Sequence, residues 1–158
     1  MAADADALAT LFRALNDEPW LSPQLITPEG ITRDLIEDPR AIVLVAEHAG
    51  APAGLATAHP AYDSGQSRWG LFLNDLFVAP DARRRGIGRA LVAAVAAEAE
   101  RTGCTFVWWN ADEQDTLALR FHRSLHVEEL RVSDFLLHGK AFDTLVRESL
   151  QQRARPSD

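Results

Sequence analysis

Residues 74–91 read NDLFVAPDARRRGIGRAL and contain the transition on which the fold depends. An apolar run typical of a buried strand ends at Val78, and Pro80 stops it because proline cannot donate to a strand ladder. A helix rich in alanine and leucine is predicted over residues 86–101, with Gly103 in the position that ends a helix. Four arginines lie around this junction: Arg83, Arg84 and Arg85 between strand and helix, and Arg89 in the first turn of the helix.

The segment 83–89 has the chemistry of an anion-binding turn. The first turn of a helix has unbonded N–H groups and the positive end of the helix dipole, and glycines let an oxygen-rich ligand approach the backbone. A pyrophosphate is therefore the expected guest. The segment is neither a Walker A loop nor the three-glycine dinucleotide fingerprint. Taken alone, it is equally consistent with a solvated arginine run beside a helix start.

The remaining periodicity predicts a mixed α/β fold. Helices are expected over residues 4–16, 29–37, 116–125 and 142–152, strands over 41–47, 53–59, 69–78 and 104–109, and an extended segment over 127–137. Residues 62–68 read as a polar loop. The strand–helix–strand order between residues 69 and 109 predicts one right-handed parallel crossover. We therefore expect a mostly antiparallel central sheet with one parallel strand pair and flanking helices.

Composition limits the classes of protein. The chain has 158 residues, a length that predicts a single domain over residues 1–158. Its formal net charge is −7. Its acidity argues against broad nucleic-acid binding, and no apolar run reaches the length of a membrane span. The N-terminus has no positive region of the secretory kind, so the expected location is the cytoplasm. Cys104 is the only cysteine, and no metal site is expected.

Two stretches carry a resemblance to a known family. Residues 74–91 resemble motif A of the GNAT acetyltransferase superfamily, whose signature Arg/Gln-x-x-Gly-x-Gly/Ala matches Arg83, Gly86 and Gly88. Residues 115–127, DTLALRFHRSLHV, resemble motif B, which usually reads Asn-x-x-Ala-x-x-Phe-Tyr-x-x-Leu-Gly-Phe. The resemblance covers a core of residues 41–138. Residues 73–78 are also similar to diamine acetyltransferases, a match too short to assign a substrate.

The resemblance implies acetyl-CoA as co-substrate, lying in a wedge between splayed parallel strands at residues 72–78 and 104–110. It implies main-chain contacts from Leu76, Phe77 and Val78 to the pantetheine arm, with the Val78 N–H directed at the thioester carbonyl oxygen. The implied pyrophosphate contacts come from Arg83, Arg84, Arg85, Gly86, Ile87, Gly88 and Arg89. Asp115 stands where an asparagine commonly contacts the cofactor, and it lacks the amide donor.

The resemblance also implies direct attack of a neutral amine on the thioester, without a covalent enzyme intermediate. Asn74 and Asp75 stand near the implied acceptor, and strand alternation predicts that only one of them faces it. Asp75 is favoured as the residue that takes part in the chemistry, because it alone of the two ionises. The alternative is that the Asp75 carboxylate has a structural role, capping a helix or pairing with an arginine. His122 replaces the motif B tyrosine that protonates the departing thiolate, and the alternative for it is a packed structural residue.

These implications favour an N-acetyltransferase acting on a primary amine of a small molecule. The alternatives are a protein N-terminal or lysine acetyltransferase and a catalytically silent acyl-CoA-binding module. Trp20, Tyr62 and Trp69 are candidates for lining the acceptor pocket. Neither a nucleic acid nor a membrane is an expected partner. The extended segment 127–137 and the amphipathic helix after it are consistent with a homodimer.

Overall fold

The computed structural model describes residues 2–19 and 21–153. Its helices are α1 (Ala2–Leu15), α2 (Pro28–Ile31), α3 (Ile87–Arg101), α4 (Thr116–Arg123) and α5 (Gly139–Arg153). Its strands are β1 (Ile42–His48), β2 (Ala51–Asp63), β3 (Arg68–Val78) and β4 (Val107–Trp108). Short 3-10 turns lie at Pro23–Leu25 and Pro80–Ala82, and a π-helical turn at Thr32–Ile36 continues α2.

The chain divides into two compact units, Met1–Phe121 and His122–Asp158. The first unit contains the sheet and the helices α1 to α3, and the second contains α5. Helix α4 runs across the division. A single domain over residues 1–158 therefore stays a prediction. None of the helices in the described residues combines the length and the apolar character needed to cross a bilayer.

The predicted fold class is confirmed by the sheet, whose strand order is β1-β2-β3-β4. The first three strands are antiparallel, whereas β3 and β4 are parallel and are connected by the crossover helix α3. The loop expected over residues 62–68 is shorter than predicted, since β2 runs to Asp63 and β3 starts at Arg68. The Asp63 carboxylate accepts the Gly65 N–H at 3.0 Å and so stabilises a tight turn.

Both faces of the sheet are buried by helices. On one face, Leu8 and Phe12 of α1 pack against Leu55 of β2 and Phe77 of β3. The other face is covered by α3, which forms a second cluster with the sheet: Ala56, Ala58, Leu71, Leu73, Leu91, Val95 and Ala99. Each fully buried leucine or phenylalanine contributes about 1.5–3 kcal/mol. These clusters fix β2 and β3, the two strands that hold the candidate site.

Two predicted elements differ from the structure. Strand β4 was expected over residues 104–109, but Cys104 donates its N–H to the Ala99 carbonyl at 2.8 Å and so closes α3 after the left-handed Gly103. The backbone of Cys104 is therefore committed to the helix end. Residues 127–138 form no strand in the described part of the second unit, because a strand requires a paired neighbour.

Gly54 provides a test of the packing between β2 and β3. A β-carbon added at Gly54 would lie 2.7 Å from the Phe77 carbonyl oxygen and 3.3 Å from Leu91 Cδ1. We expect Gly54→Ala to lower the free energy of unfolding by about 1–3 kcal/mol, measured by urea denaturation, because the two strands must move apart. Gly30→Ala is the control, since its β-carbon would meet only Thr27 Oγ1, at 3.4 Å. Equal stability of the two variants would contradict this packing.

Candidate active site

A wedge opens where the parallel pairing of β3 and β4 ends. Leu71 donates its N–H to the Phe106 carbonyl at 3.0 Å, and Thr105 donates to the Trp69 carbonyl at 2.9 Å. The last paired residues are Phe72 and Trp108, yet β3 continues to Val78. Within the described residues, the edge of β3 beyond Phe72 thus extends past its pairing with β4.

The main chain of β3 alternates between this wedge and β2. Ala79 donates its N–H to the Ala53 carbonyl at 2.8 Å, and the Phe77 carbonyl points toward Gly54. Residues 77 and 79 therefore face β2, while Leu76 and Val78 face the wedge. The main-chain groups of Phe77 thus face β2, and the cofactor contacts expected from Leu76, Phe77 and Val78 stay a prediction. The Phe77 ring is buried in the core against α1.

The segment after β3 presents the features of an anion site. Gly86, the residue before α3, is left-handed with φ 81°, and the first helical bond joins the Ala90 N–H to its carbonyl at 3.0 Å. The N–H groups of residues 87–89 therefore have no partner within the helix, at the positive end of its dipole. Arg84, itself left-handed with φ 62°, is exposed together with Arg85 and Arg89.

Arg83 is directed differently from the other three arginines. Its Nε donates to the Val78 carbonyl at 2.9 Å, and its guanidinium carbon lies 6.0 Å from the centre of the Phe77 ring. Arg83 therefore ties the loop to the end of β3 and orients that loop. Its predicted contact with pyrophosphate stays a prediction.

Gly88 brings the two sequence motifs together. A β-carbon at Gly88 would lie 3.2 Å from the Phe121 ring and 3.7 Å from Val78 Cγ2. Only a residue without a side chain lets the Phe121 ring of α4 approach this closely. Asp115 caps the same helix, since its carboxylate accepts the Leu117 N–H at 3.1 Å and the Ala118 N–H at 2.9 Å. A cofactor contact from Asp115 stays a prediction.

A β-bulge at Asn74 places two polar side chains on the same face of β3. Thr57 pairs with Asp75 and Ala58 pairs with Leu73, so Asn74 is an extra residue in β3. The Thr57 hydroxyl donates to Asp75 Oδ2, and His59 Nδ1 lies 2.8 Å from Asn74 Oδ1. Thr57 and His59 are two residues apart on β2 and share a face. The prediction that Asn74 and Asp75 point to opposite faces is therefore wrong.

This polar cluster lies beside an aromatic pair. His59 is opposite Phe72 on β3, and Phe72 is opposite Trp108 on β4, so the three residues form a row across the sheet. The Phe72 and Trp108 rings meet edge to face with centroids 5.4 Å apart. Half of the Trp108 side chain is exposed. The row ends at the opening of the wedge.

Two of the aromatic candidates for the acceptor pocket lie elsewhere. Tyr62 and Trp69 contact each other with ring centroids 5.1 Å apart. Trp69 is two residues from Leu71, which packs in the α3 cluster, so this pair is on the face opposite Asp75. Trp20 lies outside the described residues.

Asp38 adds a carboxylate near His59. Arg40 donates to Asp38 through Nη2 at 2.7 Å and Nε at 3.0 Å. These hydrogen bonds are the main reason that the pKa of Asp38 is lowered to about 2, and the charge of His59 contributes to the same shift. In the described residues, no three His, Cys, Asp or Glu side chains are grouped as metal ligands.

His59 and Thr57 are the site residues that the sequence interpretation missed. The available signal was a threonine and a histidine, two residues apart, in an otherwise apolar strand. His122 lies half-buried in α4, at the start of the second unit, and its carbonyl accepts the Leu125 N–H at 3.0 Å. Its role as general acid stays a prediction.

Comparison with known proteins assigns the family. The model of the acetyltransferase (GNAT) family matches residues 6–126. The chain belongs to this family. GNAT acetyltransferases use acetyl-CoA, so the co-substrate implied by the sequence motifs is confirmed.

Three proteins are similar to this chain over different shares of its length. An uncharacterized N-acetyltransferase of Bacillus subtilis, YhfO, is 27% identical over 80% of this chain and 85% of its own length. The L-ornithine N5-acetyltransferase NATA1 of Arabidopsis thaliana is 30% identical over 46% of this chain and 32% of its own length. The structure of the aminoglycoside N-acetyltransferase AAC(6')-Iy in complex with CoA has a TM-score of 0.72 and 23% identity, covering 85% of this chain and 88% of that chain. The last likeness shows the shared fold.

Proposed function

We propose that this GNAT protein transfers an acetyl group from acetyl-CoA to a primary amine of a small molecule. The observation that carries the proposal is the half-buried Asp75 carboxylate, one residue before the N–H groups of β3 that face the wedge. A carboxylate in this position attracts an alkylammonium group toward the edge where the thioester would lie. Its partner Thr57 is fully buried and holds the carboxylate in place.

The described residues fit acetyl-CoA. The main chain of Leu76 and the Val78 N–H present strand-edge groups that match the amides of a pantetheine arm, as an added strand would, whereas the Val78 carbonyl already accepts from Arg83 Nε. The N–H groups of residues 87–89 and the exposed Arg84, Arg85 and Arg89 match a pyrophosphate. When bound, acetyl-CoA supplies an activated acetyl thioester at the end of that arm.

The chemistry requires two proton transfers. An alkylammonium with a pKa of about 10.4 must first lose a proton before its nitrogen can attack. The neutral amine then forms a C–N bond while the C–S bond breaks. The Val78 N–H stabilises the negative charge that develops on the carbonyl oxygen. His122 supplies a proton to the departing thiolate in this scheme.

The comparisons support a small acceptor. The ornithine and aminoglycoside acetyltransferases that resemble this chain are named for small amines. The aromatic pair in the same row of the sheet as His59 also suits a compact cation, because an ammonium group is attracted to the face of an aromatic ring. A protein acetyltransferase and a silent acyl-CoA-binding module are the competing functions.

Thiol release from acetyl-CoA tests the function directly. We expect faster release with one of ornithine, 1,4-diaminobutane or an aminoglycoside than with a peptide that carries a free N-terminus and a lysine. Preference for the peptide would instead identify a protein acetyltransferase. Calorimetric binding of acetyl-CoA without acetylation of any amine would identify the silent module.

His122→Phe tests the general-acid role. We expect kcat to fall by about 10²-fold, the lower end of general-acid effects, with the Kd for acetyl-CoA unchanged. His48→Phe, at the exposed end of β1, is the matched control and should retain full turnover. Undiminished turnover in His122→Phe would refute the role.

We also propose that the chain forms a homodimer through its second unit. That unit leaves many large apolar side chains 42–93% exposed: Val127, Leu130, Val132, Phe135, Leu136, Leu137, Phe142, Leu145, Val146 and Leu150. A segment this short cannot bury a core of its own. Residues 122–158 contain six basic and six acidic residues, so charge does not oppose contact between two copies, although the whole chain is acidic.

Light scattering tests the homodimer. We expect a mass twice that of the 17.4 kDa chain at micromolar concentration. Combined Leu130→Asp and Val132→Asp, both at positions 68% exposed, should give a folded monomer. Leu25→Asp, at a position 76% exposed in the first unit, should leave the dimer intact. A monomeric unmodified chain would disprove the proposal.

A further inference from the structure

The contact between His59 and Asn74 determines which ring nitrogen of the neutral imidazole carries the hydrogen. Nδ1 lies 2.8 Å from the Asn74 side-chain oxygen, which accepts hydrogen bonds and cannot donate them. Nδ1 must therefore carry the hydrogen. In the neutral ring, Nε2 is then the atom with a free lone pair, ready to accept a proton.

The β-bulge makes this contact available. In a regular strand, Asn74 and Asp75 would point to opposite faces. The extra residue places Asn74 against His59 and Asp75 against Thr57 on the same face, next to the end of the β3–β4 pairing. An imidazole and a carboxylate therefore stand side by side at the opening of the wedge.

The two groups differ in their fitness as a base. Asp75 already accepts the Thr57 hydroxyl through Oδ2, and ordinary carboxylates, with a pKa of about 3.9, are poor acceptors for a proton from an alkylammonium. An ordinary imidazole, with a pKa of about 6.5, is closer to that task. Both groups are half-buried and within reach of solvent.

We propose that His59 Nε2 takes the proton from the acceptor ammonium, that Asp75 binds the ammonium, and that Asn74 is a positioning residue that holds the imidazole tautomer. This inference rests on the proposed function. The amine then attacks the thioester carbon, the C–N bond forms and the C–S bond breaks. The first proton passes from His59 to solvent and the attacking nitrogen then loses its second proton to solvent. His122 protonates the CoA thiolate and regains a proton from solvent.

The protonation state of His59 sets the sign of the pH effect. The charged groups on this side of the sheet are the carboxylates of Asp38 and Asp75 and the guanidinium of Arg40, which pairs with Asp38. Because the neutral ring is the active form, kcat/KM falls as the pH is lowered and Nε2 gains a proton. The acidic limb of the pH profile is therefore assigned to His59.

The kinetic test compares two histidines of the same hairpin. With the best acceptor among ornithine, 1,4-diaminobutane and an aminoglycoside, we expect His59→Gln to lower kcat about 10²-fold and to flatten the acidic limb. His48→Gln, at the opposite end of the hairpin, should keep both kcat and the limb. If His59→Gln behaves like His48→Gln, His59 is not the base.

Two substitutions at Asn74 separate positioning from structural support. Asn74→Asp keeps an acceptor for Nδ1 and adds negative charge, so the acidic limb should move to higher pH. Asn74→Leu removes the acceptor, and kcat should fall about tenfold with little change in the Kd for acetyl-CoA. A purely structural role predicts equal loss in both variants without movement of the limb, and that result would overturn the proposal.

A spectroscopic measurement is independent of turnover. Chemical shifts of ¹⁵N-labelled histidine should show His59 protonated at Nδ1 in the neutral form, and a mixture of tautomers in Asn74→Leu. A ring protonated at Nε2 would overturn the inference whatever the kinetics. If no amine is acetylated, both proposals fail; if acetylation proceeds normally in His59→Gln, only the role of His59 fails.

Discussion

Strand β3 extends beyond the point where its pairing with β4 ends, and the rest of the site depends on that edge. Buried backbone N–H and carbonyl groups require partners, so an open edge inside a fold is costly unless a ligand or water completes it. Here α3 leads the chain away immediately after β3, and β4 returns to pair only as far as Phe72 and Trp108. The main chain of Leu76 and the Val78 N–H therefore lie at an edge that is not paired with β4.

The bulge at Asn74 solves a second problem on the same strand. A regular strand would turn either Asn74 or Asp75 toward α3, where the surrounding side chains are apolar. Burial of an unpaired carboxylate or amide there would cost several kcal/mol. One extra residue keeps both side chains on the other face, and it lets Leu73 and Leu76 return to the α3 cluster. The bulge therefore reconciles a continuous core with a polar site.

Local sequence patterns predicted the turn and the helix of this arrangement, but they did not predict how β2 and β3 pair. Pro80 and the glycines predicted the strand-to-helix turn, and the hydrophobic periodicity of residues 4–16 predicted α1. The bulge depends on the register between β2 and β3, which local patterns do not contain, so the orientation of Asn74 was missed. For the same reason, His59 could not be placed beside it. The late start of β4 depends on one hydrogen bond, from the Cys104 N–H to the end of α3.

The two sides of the candidate site also differ in whether backbone or side chains form them. The cofactor side consists mainly of backbone: the edge of β3, the first turn of α3, and Gly88, whose missing side chain admits Phe121. Such a site constrains only glycines and turn residues, which is why the motifs identify the family. The proposed acceptor side consists of side chains, among them His59, Asn74 and Asp75. Family membership is therefore readable from the motifs, whereas the proposed acceptor contacts also depend on a residue outside them, His59.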